Sequence, residues 1–322
     1  MLDKSARILV VMGGWSAERE VSLETGRAVV DCLKGAGHDV SALAIGGGSE
    51  PGSVGERIDM LCRLLETIRG DGIQAVYIAL HGPLGEDGTI QGLLDLAGVP
   101  YNGSGVLASS LGLDKVFAKQ VFISSRITTP KHAGVPKGSL PKASPLPLPV
   151  VVKPRSLGSS IGVSLVEKAD DFNPALERVY ALGQDALIEQ YIQGRELQAA
   201  VLDGVPLPLV EVISANRLYD YEAKYTAGKS EHKTPAPLPR KQYEAVQRLA
   251  QQAYAAIGCE GVARVEIIAE NTGTLYVLEV NTLPGMTPTS IVPEAAREAG
   301  ISFIELLTGE IERGMARKAG RS

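Results

Sequence analysis

A carboxylate and an amide sit at the end of the last long apolar run of the chain, with a spacing that suits a hard metal ion. The stretch LYVLEVNTLPGMTPTSIVP covers residues 275–293. Side chains two apart on a strand share a face, so Glu279 and Asn281 are expected to point one way, together with Leu275 and Val277. The preceding run, GVARVEIIAE, carries Glu266. If the loop between the runs holds an even number of residues, Glu266 joins that face beside Glu279. Two carboxylates within about 4–6 Å repel, and one would normally take up a proton. A divalent cation removes the conflict. Oxygen-only donors suit magnesium or manganese, and a small protein ligand set leaves positions for phosphate oxygens. A solvated edge strand with two ordinary glutamates is the competing account of this hairpin.

Three further features would complete a site for a phosphorylated ligand. Lys153 ends the buried run VVVKP, where an ammonium can hold phosphate as a point charge. The segment RSLGSSIG, residues 155–162, offers small residues with free N–H groups that can wrap an anion. It is not a P-loop, because GxxxxGK[ST] occurs nowhere. In IEQYIQGRE, Glu189 ends a strand and Glu196 follows seven residues later. That segment can give backbone groups to an adenine edge and a carboxylate to ribose hydroxyls. Each feature alone also fits a snorkelling lysine, a plain turn or a strand end.

The elements that must hold these groups are legible in outline. RILVVMGG, HDVSALAI and AVYIALHG read as buried strands separated by helical patterns, which predicts a parallel α/β unit over residues 1–105. Ligands of such sheets sit beyond the C-terminal strand ends, where Gly13-Gly14 and His81-Gly82 fall. Residues 106–125 read as helix. The proline-rich 128–149 predicts an extended connection. Hairpins follow, one turning at Asp203-Gly204 and one near Asn271–Gly273. Residues 240–257 read as helix, and the tail as a short helix fraying into a basic end.

Composition narrows the class. The chain has 322 residues, more than one small core, with a net charge of −5. That argues against a general nucleic-acid binder. Cys32, Cys62 and Cys259 form neither a disulfide framework nor a metal spacing, which fits a reducing cytoplasm. The run Ile8–Met12 is too short for a signal peptide, and no stretch approaches a membrane span.

Five separated motifs, in order, carry a resemblance. GGWSAEREVSLETG, ALHGPLGEDGTIQGLLDLAGVPYNGSGVLASSLGLDK, KPRSLGSSIGVS, YDYEAKYTAG and RVEIIAENTGTLYVLEVNTLPGMTPTSIVP resemble the D-alanine–D-alanine ligase family of ATP-grasp enzymes. The resemblance implies a three-domain α/β ATP-grasp fold: residues 1–105 with the first-substrate site, 106–190 as the central ATP-grasp subdomain, and 191–322 as the C-terminal one with the metal site. It implies ATP-driven joining of two D-alanines through an acyl phosphate, in the cytoplasm, by a homodimer, with no nucleic-acid or membrane partner. Glu266, Glu279 and Asn281 would hold two Mg²⁺ or Mn²⁺ ions against ATP. Lys115, Lys153, Ser159, Ser160 and Lys224 match phosphate-side positions. Glu189, Tyr191, Ile192 and Glu196 match the base and ribose contacts. Glu18 and His81 match the first-substrate pocket. Ser159 and Tyr225 join Glu18 in fixing a lid loop. Arg264 and the Gly285 N–H match an oxyanion-stabilising pair, and Ser290 with Lys224 the second-substrate side. Tyr225 stands where D-lactate-specific relatives differ, which favours an amine nucleophile. Three departures stand out: Glu266 replaces the family's aspartate, the residues before Ser159-Ser160 differ, and the proline-rich segment replaces a region often partly helical.

Overall fold

The computed structural model describes residues 2–214 and 230–321. Three sheets organise them. The first is parallel, in the order β2-β1-β3, from β1 (Ile8–Gly13), β2 (Val40–Ile45) and β3 (Ala75–Ile78). Every residue of β1 is buried, and the strand period divides it between two cores. Ile8, Val10 and Met12 pack with Leu23, Val29 and Leu33 of α1 (Arg19–Gly35). Leu9 and Val11 pack with Leu64 and Ile68 of α2 (Val54–Gly70), whose start is fixed by a capping box between Ser53 and Glu56. Short helices α3 (Thr89–Ala97), α4 (Val106–Leu113) and α5 (Lys115–Ser124) follow.

The second sheet is antiparallel, order β4-β7-β5-β6, from β4 (His132–Val135), β5 (Val150–Pro154), β6 (Ser164–Val166) and β7 (Ala186–Gln190), covered by α6 (Phe172–Ala181). The proline-rich segment is non-helical as expected, but contributes β4. The third sheet runs β11-β10-β8-β12-β13, with β9 on β8. Its strands are β8 (Gly194–Leu202), β9 (Val205–Pro206), β10 (Val210–Ser214), β11 (Ser230–Lys233), β12 (Val262–Glu270) and β13 (Leu275–Asn281). Asp203 and Gly204 both take positive φ between β8 and β9, at the expected tight turn. Helix α7 (Arg240–Ile257) covers one face of this sheet through Val246, Ala250 and Ala253.

The last hairpin corrects one expectation. Residues 270–274, an odd number, separate the registered pair Ala269 and Leu275. Parity alone would therefore separate Glu266 from Glu279. A bulge opposite Glu266 and Ile267 restores the match: Ile267 faces Val277, and Glu266 faces Glu279. Leu278 is the extra residue. Leu275, Val277 and Val280 consequently pack into the core under α7, while Leu278 and Glu279 both face the opposite side. Glu279 and Asn281 do share a face, but Leu275 and Val277 are not on it.

The tail corrects another. After α8 (Ile291–Glu298), helix α9 runs from Phe303 to Arg321 and is not short. Its Leu306, Leu307 and Ile311 enter the core beneath β1. Arg317 donates to the Gly103 carbonyl at 2.7 Å and pairs with Glu260 at 2.6 Å, joining the first sheet's loops to the third. Glu310, also on α9, is fully buried, and burial pushes its carboxyl up to about 7 against the opposing Arg313 charge. The unfolded chain releases this proton near the ordinary carboxylate value and the folded chain near 7, so stability falls as pH rises between them. Glu310→Gln is expected to remove a loss on the order of 3 kcal/mol between pH 5 and pH 8. Urea denaturation of both proteins at the two pH values checks it; parallel pH dependence would contradict the assignment.

Candidate active site

One cleft opens between the second and third sheets. It is lined by Lys115, Lys153, Ser160, Glu189, Tyr191, Ile192, Glu196, Glu266 and Glu279, with Val151, Val163, Ile268 and Leu278 as its apolar walls. Nine of the sequence-expected groups therefore meet in one place. Lys153 leaves β5, and its ammonium lies 2.5 Å from Glu189 on β7. Lys115 begins α5, where Asp114 caps the helix and is gripped in turn by Arg155. The Lys115 ammonium donates to the Leu157 carbonyl at 2.8 Å and lies 3.4 Å from Glu279. Glu196 accepts from the Gln198 amide at 3.1 Å. Val151 and Ile268 line the cleft from different sheets, an apolar lining that suits a planar ring with phosphates at the charged end.

The acidic end is built by the bulged hairpin. Glu266 and Glu279 are cross-strand neighbours, and both reach the cleft. Arg264, two residues before Glu266, donates to it at 2.7 Å and lies opposite Asn281. The Asn281 side-chain oxygen accepts from the Leu283 N–H at 2.9 Å. Among the described residues no three His, Cys, Asp or Glu side chains form a metal cage. Two opposed carboxylates and an amide oxygen instead make a partial oxygen set, of the kind that holds a metal shared with phosphates.

A second cluster of polar side chains lies at the C-terminal end of the first sheet. Gly13 takes φ +94°, and a Cβ there would sit 2.8 Å from the Ile45 carbonyl. Glycine thus allows the sharp turn into α1 that delivers Glu18. Ser22 ties the Gly13 N–H to the Ala79 carbonyl at 2.8 and 2.7 Å. Glu18 is buried and accepts a hydrogen bond from the Ser159 hydroxyl. Ser159 and Ser160 both hold positive φ, so the loop that carries them is locally strained around this contact. A Cβ on Gly158 would lie 2.8 Å from the Glu18 carboxylate, so the loop approaches backbone-first. Burial raises the Glu18 pKa, and the Glu86 charge adds to it; His81, Ser159 and Lys115 oppose. Burial would lower the His81 pKa, but its hydrogen bond and charge contact with Glu86, 3.3 Å away, raise it overall. Thr25 meets the other ring nitrogen at 3.2 Å.

Ser290 is the N-cap residue of α8, and its hydroxyl lies 2.7 Å from that of Thr287. The Gly285 backbone runs beside it: a Cβ there would stand 3.2 Å from the Ser290 oxygen. Lys224 and Tyr225 lie outside the described residues. Sequence reading missed Glu86, Thr25 and Lys119. Lys119 had a visible signal, since it follows Lys115 by four and so shares its helix face. Glu86 and Thr25 had none, because only the fold brings them to His81.

A parallel-sheet unit followed by two antiparallel sheets that clasp a cleft of lysines and carboxylates defines the ATP-grasp class. Comparison with known proteins narrows this. The profiles described as D-ala D-ala ligase N-terminus and C-terminus match residues 54–104 and 129–312. A D-alanine–D-alanine ligase of Geotalea uraniireducens (strain Rf4) is 42% identical over 306 residues, covering 94% of each chain. One from Syntrophotalea carbinolica is 44% identical over 301 residues, covering 94% of this chain and 93% of the relative. The crystal structure of D-alanine–D-alanine ligase from Bacillus anthracis complexed with ATP superposes with a TM-score of 0.81 at 32% identity, covering 99% of both chains. The chain belongs to the D-alanine–D-alanine ligase family, ADP-forming ligases that make D-alanyl-D-alanine for peptidoglycan synthesis.

Proposed function

We infer that this chain uses ATP to join two D-alanines, and that the residues named above divide the work as follows. A carboxylate is a poor electrophile. Transfer of the γ-phosphoryl group to the first D-alanine carboxylate releases ADP and gives an acyl phosphate. The amine of the second D-alanine attacks its carbonyl carbon, the C–N bond forms, and phosphate leaves with the electron pair of the broken C–O bond. Protein groups mainly position reactants and meet charge.

The observation that carries this reading is the meeting of Lys115 and Lys153 with Glu266 and Glu279 in one cleft, next to the buried Glu18–Ser159 contact. Lys115, Lys153 and the Ser159-Ser160 loop hold the phosphates. Tyr191 and Ile192 enclose the base, Glu189 accepts from its amino group, and Glu196 takes the ribose hydroxyls. Glu18 takes the ammonium of the first D-alanine, with His81 beside it. Arg264 and the Gly285 N–H face the negative charge that develops on the carbonyl oxygen. Ser290, at a helix N-terminus, receives the carboxylate of the second D-alanine. Lys224 and Tyr225 belong to the loop that closes over the reactants and keeps water from the acyl phosphate. Glu266, Glu279 and Asn281 offer the oxygen donors that two Mg²⁺ or Mn²⁺ ions would use. When bound, such ions neutralise phosphate charge. A homodimer in the cytoplasm, without nucleic-acid or membrane partners, is part of the same reading; among the described residues no helix is long and apolar enough to cross a membrane.

The test is ADP release from purified protein with Mg-ATP and D-alanine, L-alanine, D-serine or D-lactate. Release that needs D-alanine and yields the dipeptide is the expected result. Release with another partner would overturn the substrate. ATP binding without release under any condition would overturn the enzyme reading and point to Glu266.

A further inference from the structure

Helix α5 presents two lysines one turn apart, and they meet different surroundings. Lys115 opens onto the cleft; Lys119 is wholly buried below it. An ammonium has three N–H donors, and each of those on Lys119 has a partner. One meets the Glu189 carboxylate. The others reach the Thr129 hydroxyl at 2.8 Å and the Leu278 carbonyl at 3.1 Å. The Thr129 hydroxyl in turn donates to the Val277 carbonyl at 2.8 Å. Val277 and Leu278 are the residues at which β13 bulges, turning Leu278 and Glu279 together toward the cleft. Lys119 thus touches the base end of the cleft through Glu189 and the acidic end through the bulge.

The charge arithmetic at Glu189 gives this contact a purpose. One carboxylate is held by two ammonium groups, Lys119 and Lys153. Only Lys153 lines the cleft. Phosphates entering the cleft compete for Lys153. With Lys119 in place, Glu189 keeps a counter-charge when Lys153 turns away. Without it, the same movement would strand a buried carboxylate, which is costly.

We propose that Lys119 is a positioning residue for both ends of the cleft: the standing counter-ion that frees Lys153 for phosphate, and the brace that fixes the bulge aiming Glu279. The inference rests on the reading of this cleft as a nucleotide site.

The test titrates ADP alone, and then Mn²⁺ against protein saturated with ADP, following Mn²⁺ by its spin resonance. Lys119→Met removes charge and donors at similar volume. It is expected to weaken both affinities by about ten-fold or more, at unchanged binding stoichiometry. Thr129→Val removes the hydroxyl that joins Lys119 to the Val277 carbonyl and leaves the contacts of Lys119 with Glu189 and Leu278, so it is expected to weaken Mn²⁺ and leave ADP within about two-fold. A lysine that merely supports folding would lower the number of competent sites and leave their affinities intact; that result overturns the proposal. If Lys119→Met does not fold, unchanged Mn²⁺ affinity in Thr129→Val overturns it instead. Wild-type protein that binds no ADP would overturn the nucleotide reading itself, and this inference with it. Wild-type binding with an indifferent Lys119→Met overturns this inference alone.

Discussion

Glu279→Gln is expected to lower kcat by about three orders of magnitude, with the fold retained. The change keeps size and polarity but removes the negative charge of one of the two opposed carboxylates. Glu266 alone then faces the phosphate end, and it is already engaged by Arg264 at 2.7 Å. A metal that supplies several kcal/mol of charge stabilisation to phosphoryl transfer accounts for an effect of this size, since each factor of ten corresponds to about 1.4 kcal/mol. The rival explanation is that Glu279 merely balances Lys115, 3.4 Å away. In that case the glutamine variant would free Lys115 for phosphate, and activity would hold or the KM for ATP would fall. Steady-state kcat and KM for ATP, across Mg²⁺ and Mn²⁺ concentrations, separate the two. Retention of activity within about ten-fold would remove Glu279 from the metal site. Glu266→Asp is the useful contrast. It restores the family's residue type while drawing the carboxylate back from Arg264, and activity is expected to stay within about ten-fold of wild type.

That hairpin also marks how far sequence alone reached. The residue types of the acidic end were plain in the sequence, although two ordinary glutamates on a solvated edge strand fitted them as well. Their common face was obtained by an incomplete argument. Strand parity assumes an unbroken ladder, and neither the odd loop nor the bulge at Leu278 leaves a mark in local composition. The two errors cancel for Glu266 and Glu279, and are exposed only by Leu275 and Val277, which fall on the core face. The tail failed for a different reason. Its basic residues suggested fraying, yet Arg313 and Arg317 are spent on Asp203, Glu260 and backbone carbonyls far away in sequence. Lys119 lay between the two cases: its helix face was predictable, its partners were not. Alternating strands and helices gave the first sheet because parallel units are locally patterned. Groups brought together across separate sheets, such as Glu18 with Ser159, became legible only through the ordered motifs of a known family.

Glu18→Gln should lower kcat/KM for D-alanine by about three orders of magnitude, because a buried charge pair loses one member while the substrate ammonium is still desolvated. The pH dependence then distinguishes this role from simple packing. Glu18 must be ionised to hold an ammonium. Its pKa is raised, first by burial and then by the Glu86 charge, with His81, Ser159 and Lys115 limiting the rise. As pH falls through that raised value the carboxylate takes up a proton, so the acid limb of kcat/KM for D-alanine should begin above the range of an exposed glutamate. Glu86→Gln removes the like charge, so it should move the limb to lower pH. It also removes the negative charge that helps hold the His81 pKa up, and the His81 charge that favours ionised Glu18 fades earlier as pH rises. The net direction is set by the larger of the two causes at Glu18, which is Glu86 itself. A downward shift in Glu86→Gln, with the limb absent in Glu18→Gln, assigns the titration to Glu18. An acid limb that persists unchanged in Glu18→Gln would give it to another group and leave Glu18 without the substrate ammonium.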